Sequence, residues 1–368
     1  MSKIKIFVTY KDKHKVLKSD IITPIQTGRA IAKEIFEEMI GDDTGDNISK
    51  DNPKYNELSG QYWVWKNYDK IDNPEYVGFM HYRRHFIFDK NFKIENRSSW
   101  FNGMNIYNVD FLEECLNNIK DENILNTISE NADCYAIKKY NVQNMQECDL
   151  YMKEHYLLTI GGSKRNIWNA FYDTVSSRYP EYRHLLNNFT YGSHLNCCNM
   201  FIMKKELFFK YSEFCFNILK EIDRKIDSSK FNPQEMRFLG YIGEYVLTLF
   251  IMKLEEEGKY IKYLNAILIK NVDGVEKKPL ERFLSKIFSI KNYGNKKIFQ
   301  ILGLKIKVRR NTSDVILNSI MIKLCELQQE IILNKKFENL ERQIGILQNN
   351  IENIHAEIEE IKKQNIRI

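Results

Sequence analysis

The chain has 368 residues, enough for two domains or one large domain with an appendage and too many for a single small module. Its 43% hydrophobic and 28% charged residues, with only 16 Gly and 6 Pro, exclude a disordered or collagen-like chain. Lys and Arg (55) exceed Asp and Glu (49) by six, too small and dispersed a surplus to argue for nucleic acid, and the seven Cys contain no C-x-x-C pair, so they indicate neither a zinc site nor a disulfide framework and fit a reducing compartment.

Residues 4 to 10, IKIFVTY, are β-branched and aromatic and predict a buried first strand, with the polar loop KDKHKVLKSD at its C-terminal end. The helical spacing of GRAIAKEIFEEMI predicts a helix over 28–40, ended by the turn-rich GDDTGDNIS. A second helix is expected over Tyr55 to Tyr68, then one strand over Tyr76 to Phe86 that delivers His, Tyr and two Arg at its end. A short strand begins at Asp133, 151–189 is helical, a strand covers Cys198 to Met203, a helix follows from Lys205, and another begins near Gly240 and ends before Gly258. This alternation predicts an α/β fold with a mostly parallel sheet and helices on both faces, whose ligands gather at the carboxyl ends of the strands. The N-terminus turns charged at once, unlike a signal peptide, and no stretch reaches the ~18 apolar residues of a membrane span.

The last hundred residues change character. Lys286 to Arg310 holds eight Lys and Arg among Ile, Leu and Phe and no acidic residue, a basic amphipathic segment suited either to an anionic membrane surface or to packing on the main domain. Beyond it, apolar residues fall in heptads, with Phe337, Ile344, Ile351 and Ile358 at a and Leu333, Leu340, Leu347, Ile354 and Ile361 at d. The expected domains are therefore 1–270, 271–312 and 313–368, the last a coiled coil that makes a homo-oligomer, unless Val315 to Leu333 folds back on it as an intramolecular hairpin. Light scattering should find a dimer or trimer for the full chain and a monomer for a chain ending near Asn311; equal stoichiometry would overturn the assembly role.

GFMHYRRHF is the most informative string, because His81, Tyr82, Arg83 and Arg84 rarely end a buried strand together unless that end faces an anion. The alternative is a pair of surface Arg neutralised by nearby carboxylates. In GDDTGDNIS, Asp42, Asp43, Asp46 and Asn47 could bind a metal or sugar hydroxyls, or simply form a solvated turn. Asn199 and His194 could point into the cleft. Glu244 in the first turn of its helix is either a general base or ordinary helix-start chemistry. No P-loop, G-x-S-x-G, H-E-x-x-H or G-x-G-x-x-G occurs.

In order, IFVTYKD, GDDTGDNIS, ELSGQYWVWKN, GFMHYRRHF, CNMFIMKKELF and RFLGYIGEYVLTLF, spread over roughly residues 3 to 255, resemble the signature of one bacterial family. It is the group from capsular and exopolysaccharide gene clusters long labelled a domain of unknown function and now regarded as glycosyltransferases. The resemblance implies a GT-A-like α/β fold and transfer of a sugar, galactose-type as the leading choice, from a UDP-sugar to a growing surface glycan carried on lipid. It carries His81, Tyr82, Arg83 and Arg84 over to the donor diphosphate and Asn199 and Glu244 to the acceptor side, and the full reading adds donor binding by Thr9, Tyr10, Asp46 and Asn47, acceptor binding by His194 beside Asn199, and Glu244 as base if the enzyme inverts. Where most GT-A enzymes carry a metal-binding Asp-x-Asp, this sequence has His81 to Arg84, so a divalent metal (Mn or Mg) is an optional cofactor and not an essential one. The implied location is cytoplasmic, on the inner face of the membrane, with no nucleic-acid partner. The competing reading is a non-catalytic nucleotide- or glycan-binding scaffold of a polysaccharide-synthesis complex.

Overall fold

The computed structural model describes residues 4–12, 14–92, 106–109, 113–143, 151–160 and 165–269, together with three strands between 288 and 309. The chain divides into two compact units, Met1–Glu276 and Lys277–Ile368.

In the first unit the strands are β1 (Ile4–Tyr10), β2 (Ile22–Gln26), β3 (Ile40–Gly41), β4 (Tyr76–His81), β5 (Arg84–Phe86), β6 (Ile106–Val109), β7 (Cys134–Ile137), β8 (Tyr140–Asn141), β9 (His194–Leu195), β10 (Phe201–Lys204), β11 (Ile261–Leu264) and β12 (Ala266–Ile269). The helices are α1 (Asn52–Tyr55), α2 (Leu58–Lys66), α3 (Glu113–Asn118), α4 (Asp121–Ile128), α5 (Met152–Ile160), α6 (Arg165–Arg178), α7 (Arg183–Thr190), α8 (Lys205–Lys225) and α9 (Phe238–Glu256). The main sheet runs β11-β7-β10-β4-β1-β2-β3, with β5, β6 and β12 branching from it. β1 pairs in parallel with both β2 and β4, while β10 lies antiparallel between β4 and β7. This is the expected mostly parallel α/β sheet. Strands covered on both faces read as continuous apolar runs, and β4, Tyr-Val-Gly-Phe-Met-His, is buried throughout. Around it Phe79 packs on Phe7, Phe201 and Phe208 with ring centroids 5.4–5.9 Å apart. The reversed β10 brings the turn that precedes it to the carboxyl ends of β1 and β4, so the site is built there.

Three expectations need correction. No α-helix spans 28–40: only Arg29–Ile31 forms a single 3₁₀ turn. Gly28 is left-handed (φ 67°), and buried polar side chains take the backbone groups that a helix would use. Gln26 accepts from Phe36 N–H and donates to the Glu34 carbonyl, while Asp42 accepts from the N–H groups of Gly28 and Arg29. Phe36 and Met39 reach the core, but Ile31 and Ile35 are more than half exposed. Second, 76–86 is not one strand. The chain reverses at Tyr82 and Arg83, and β5 returns antiparallel with Arg84 opposite His81. Third, the strand expected from Cys198 starts only at Phe201, because Cys198 (φ 74°) and Asn199 (φ 48°) are both left-handed, a costly conformation for side-chain-bearing residues.

The second unit contains β13 (Phe288–Tyr293), β14 (Lys296–Ile301) and β15 (Leu304–Arg309), joined as an antiparallel meander. The basic amphipathic segment thus takes the period of a strand. The heptads from Leu333 to Ile361 lie outside the described residues. Among the described residues no helix is long and apolar enough to cross a membrane.

Candidate functional site

At the carboxyl end of β4, the His81 Nε2 lies 2.7 Å from the carbonyl oxygen of Cys198. A carbonyl only accepts, so Nε2 carries the proton and Nδ1 of the neutral ring is an acceptor, 3.5 Å from Thr9 Oγ1. Burial first, then the nearby Arg84 and Arg83, push the imidazole below its ordinary pKa against the opposing pull of Glu57, which keeps the ring neutral. His81 therefore ties the ends of β1 and β4 to the strained Cys198–Asn199 turn.

That turn joins two helices. Asn199 Nδ2 donates to Glu57 Oε1 at 2.7 Å, at the N-terminus of α2, and to the Gly240 carbonyl at 3.0 Å, in α9. Gln61 Nε2 donates to the Asn199 carbonyl at 2.9 Å. Gly243 makes this approach fit: a Cβ there would stand 2.6 Å from Leu58 Cδ1 and 3.1 Å from Asn199 Oδ1. One turn after Gly240, Glu244 enters the same cluster. Because α9 starts at Phe238, Glu244 lies in its second turn and not its first, which removes the helix-start explanation for a carboxylate there.

The electrostatics centre on Arg84. Its burial is offset by Cys198, Glu57 and Glu244, which hold the guanidinium charged. The Glu244 carboxyl is pushed well above its usual range by desolvation, then by Cys198 and Glu57, with Arg84 acting the other way. Cys197 and Cys198 hydrogen-bond to each other, which raises the first thiol and lowers the second. Three buried polar atoms here find no hydrogen-bond partner among the described residues: Arg84 Nε, Gln61 Oε1 and Asn199 Oδ1. Buried polar groups are nearly always satisfied, so one unused cationic donor and two unused acceptors single out this strand end as the candidate site.

Of the residues singled out from sequence, Thr9, His81, Arg84, Asn199 and Glu244 converge. Arg83 is exposed at the turn tip, its guanidinium 5.7 Å from the Tyr82 ring centroid, and that ring stacks on His14 at 4.3 Å. Tyr10 is buried, and its hydroxyl closes the following loop on Lys15 and Leu17. Asp46 accepts from Tyr62 and Asn67 near the far end of α2, and Asn47 bonds within its own loop. Asp42 is the loop's buried anchor, accepting also from the hydroxyls of Ser49 and Ser59. His194 is exposed on β9, which pairs with β8 outside the main sheet. Glu57, Gln61 and the two glycines of α9 received no role from sequence.

A divalent cation does not suit the strand end, where guanidinium groups and an imidazole engaged at both nitrogens stand. Among the described residues no three His, Cys, Asp or Glu side chains gather as a metal site. The five described cysteines, Cys115, Cys134, Cys197, Cys198 and Cys215, are free and buried.

A family model described as a domain of unknown function, DUF4422, matches residues 5–257. The chain belongs to this family. Among solved structures, the apo WbbM bifunctional glycosyltransferase matches with a TM-score of 0.65 and 30% identity over 75% of this chain. The chain spans 47% of that protein, about half its length. No curated protein matches. The DUF4422 match covers the positions of Thr9, Glu57, His81, Arg84, Asn199 and Glu244, so the cluster's side chains lie within the family's domain, while β11 and β12 of the same sheet lie beyond its end.

Proposed function

We propose that the chain is a glycosyltransferase that moves a sugar, galactose-type in pyranose or furanose form, from a UDP-sugar to a growing capsular or other surface polysaccharide carried on lipid. The observation that carries this reading is the half-buried Arg84 at the carboxyl end of β4, whose buried Nε has no hydrogen-bond partner among the described residues. Support comes from the likeness to a bifunctional glycosyltransferase. In this reading the diphosphate of the donor accepts hydrogen bonds from Arg84, and Arg83 at the exposed turn closes on the same oxygens. Guanidinium groups positioned where negative charge builds up on the leaving group lower the barrier to its departure. The nucleotide lies along the end of β1 by Thr9 and Tyr10, with Asp46 and Asn47 on the adjoining loop. The acceptor approaches from the side of Asn199 and His194. Glu244 removes the proton of the acceptor hydroxyl if configuration inverts, and orients the sugars if it is retained.

A thermal-shift screen of nucleoside diphosphates and UDP-sugars tests the donor, since a ligand at a hundred times its Kd stabilises the native state by about 2.7 kcal/mol. A melting temperature unmoved by every nucleotide would overturn the reading. Binding without donor hydrolysis or transfer would instead mark a non-catalytic scaffold. Because Arg84 supplies positive charge, turnover should persist in EDTA. Complete loss with rescue by Mn²⁺ would show that the arginines do not replace a metal.

A further inference from the structure

Glu57 immediately precedes the first residue of α2, where an acidic side chain ordinarily accepts from the free N–H groups of the opening turn. It makes no such bond. The side chain turns instead to Asn199, 142 residues away, whose Nδ2 donates to Oε1 at 2.7 Å. Asn199 is itself fixed by the Gly240 carbonyl and by Gln61 Nε2, so the Glu57 carboxylate is held from outside its own helix. Its second oxygen is left over. Glu57 is half-buried, and among the described residues Oε2 has no hydrogen-bond partner.

Two neighbours are left over in the same way. Arg84 is held charged in part by Glu57, yet the two form no ion pair among the described residues, so a gap separates an unused cationic donor from an unused anionic acceptor. One turn along α2, on the same side of the helix, Gln61 is 1% exposed and its Oε1 has no partner among the described residues. The strand end therefore sets a cation on one side against carboxylate and amide oxygens on the other. Such oxygens only accept, so their ligand must donate, as sugar hydroxyls do. A sugar diphosphate has this polarity, anionic at one end with hydroxyl donors around the ring. With the diphosphate on Arg84, the ring bonded to it is the group that reaches Glu57. We propose that Glu57 accepts hydrogen bonds from ring hydroxyls of the transferred sugar and so helps to determine which donor sugar is taken. This role rests on the glycosyltransferase reading and names the group that receives its sugar.

A cycle that pairs Glu57→Gln with donors lacking one hydroxyl tests it. Calorimetry on the full chain gives the affinities for UDP, UDP-galactopyranose, UDP-galactofuranose and the monodeoxy analogues of both sugars. Gln keeps the oxygen that Asn199 needs, and that bond turns the amide so that its NH2, a donor, faces the sugar. In the unaltered chain at least one monodeoxy donor should bind about tenfold to a hundredfold more weakly than its parent, the loss expected for a hydrogen bond to a charged group. In Glu57→Gln the parent donor should weaken by a similar factor, and removal of the same hydroxyl should then cost less than about threefold. UDP affinity should stay within about twofold and the melting temperature should not move. Glu57→Asp, which keeps the charge but draws the oxygens back by one methylene, should lose the same coupling. A purely structural Glu57 would weaken every donor by one factor whatever its hydroxyls. Additive losses at every hydroxyl, or a parent donor bound by Glu57→Gln as tightly as by the unaltered chain, would overturn the role and leave the glycosyltransferase reading standing. Failure of the unaltered chain to bind UDP or either UDP-sugar would overturn that reading and the role with it.

Discussion

Replacing Arg84 by Ala should lower kcat/KM by two to three orders of magnitude, or about 3–4 kcal/mol of transition-state stabilisation. The size follows from where the side chain stands. Its guanidinium is held charged by Cys198, Glu57 and Glu244, and its Nε has no partner among the described residues, so it is charged and keeps one donor unused. Arg83, exposed at the turn tip and free to reorganise, should cost less than about tenfold when replaced by Ala. Truncation of Arg84 also leaves two neighbouring carboxyl groups without their cation, which destabilises the fold. Arg84→Lys separates the effects, because it restores the charge but not the planar fork. Its melting temperature should recover more fully than its activity. Near-normal turnover by a folded Arg84→Ala variant would remove Arg84 from the diphosphate site.

Replacing Glu244 by Gln should reduce turnover by about 10² to 10⁴ if this carboxylate is the base, while nucleotide binding changes less than about threefold. The pH dependence supplies a second readout. Desolvation, Cys198 and Glu57 raise the native carboxyl above its reference value of 4.5. The base form fills only as pH climbs through that raised value, so the acid limb of the rate profile should lie above the ordinary carboxylate range and disappear in Glu244→Gln. Stability must move in the opposite sense. Above 4.5 the unfolded chain releases a proton that the native chain keeps, so this group's favourable contribution is complete below 4.5 and is lost as pH rises through the native value. Glu244→Gln should therefore gain melting temperature relative to the unaltered chain on the alkaline side. A variant with unchanged turnover and an unchanged acid limb would show that Glu244 is neither base nor proton carrier.

Much of the fold was legible because burial writes itself into runs and periods. β1 and β4 are covered on both faces and could hardly be read as anything but inner strands, and α8 and α9 keep helical spacing over 21 and 19 residues. Residues 28–40 misled because their spacing suits a helix, while the deciding partners, Gln26 and Asp42, lie outside that window. The site was half legible. Arg84, His81 and Glu244 stand out as polar residues in apolar surroundings, but the reversal at Tyr82 and Arg83, which aims Arg84 back toward the strand end, has no Gly or Pro to announce it. Glu57 was hidden for a different reason. A Glu at a helix N-terminus is ordinary, and only the Asn199 bond across 142 residues gives it a place in the cluster.

The order in which the chain leaves the ribosome bears on that long bond. Glu57 and Asn199 stand 142 residues apart in sequence, so at about 5–20 residues per second the first waits roughly seven to thirty seconds for the second. Until β10 inserts between β4 and β7, the edges of both strands stay open, and open edges pair with other chains. A nascent polypeptide cut before residue 204 should therefore be aggregation-prone even though β1, β2 and β4 are already complete. The Asn199 clamp is a late event in biogenesis, and low-temperature expression or a ribosome-bound holdase should raise the yield of the full chain more than that of a protein whose sheet fills in sequence order.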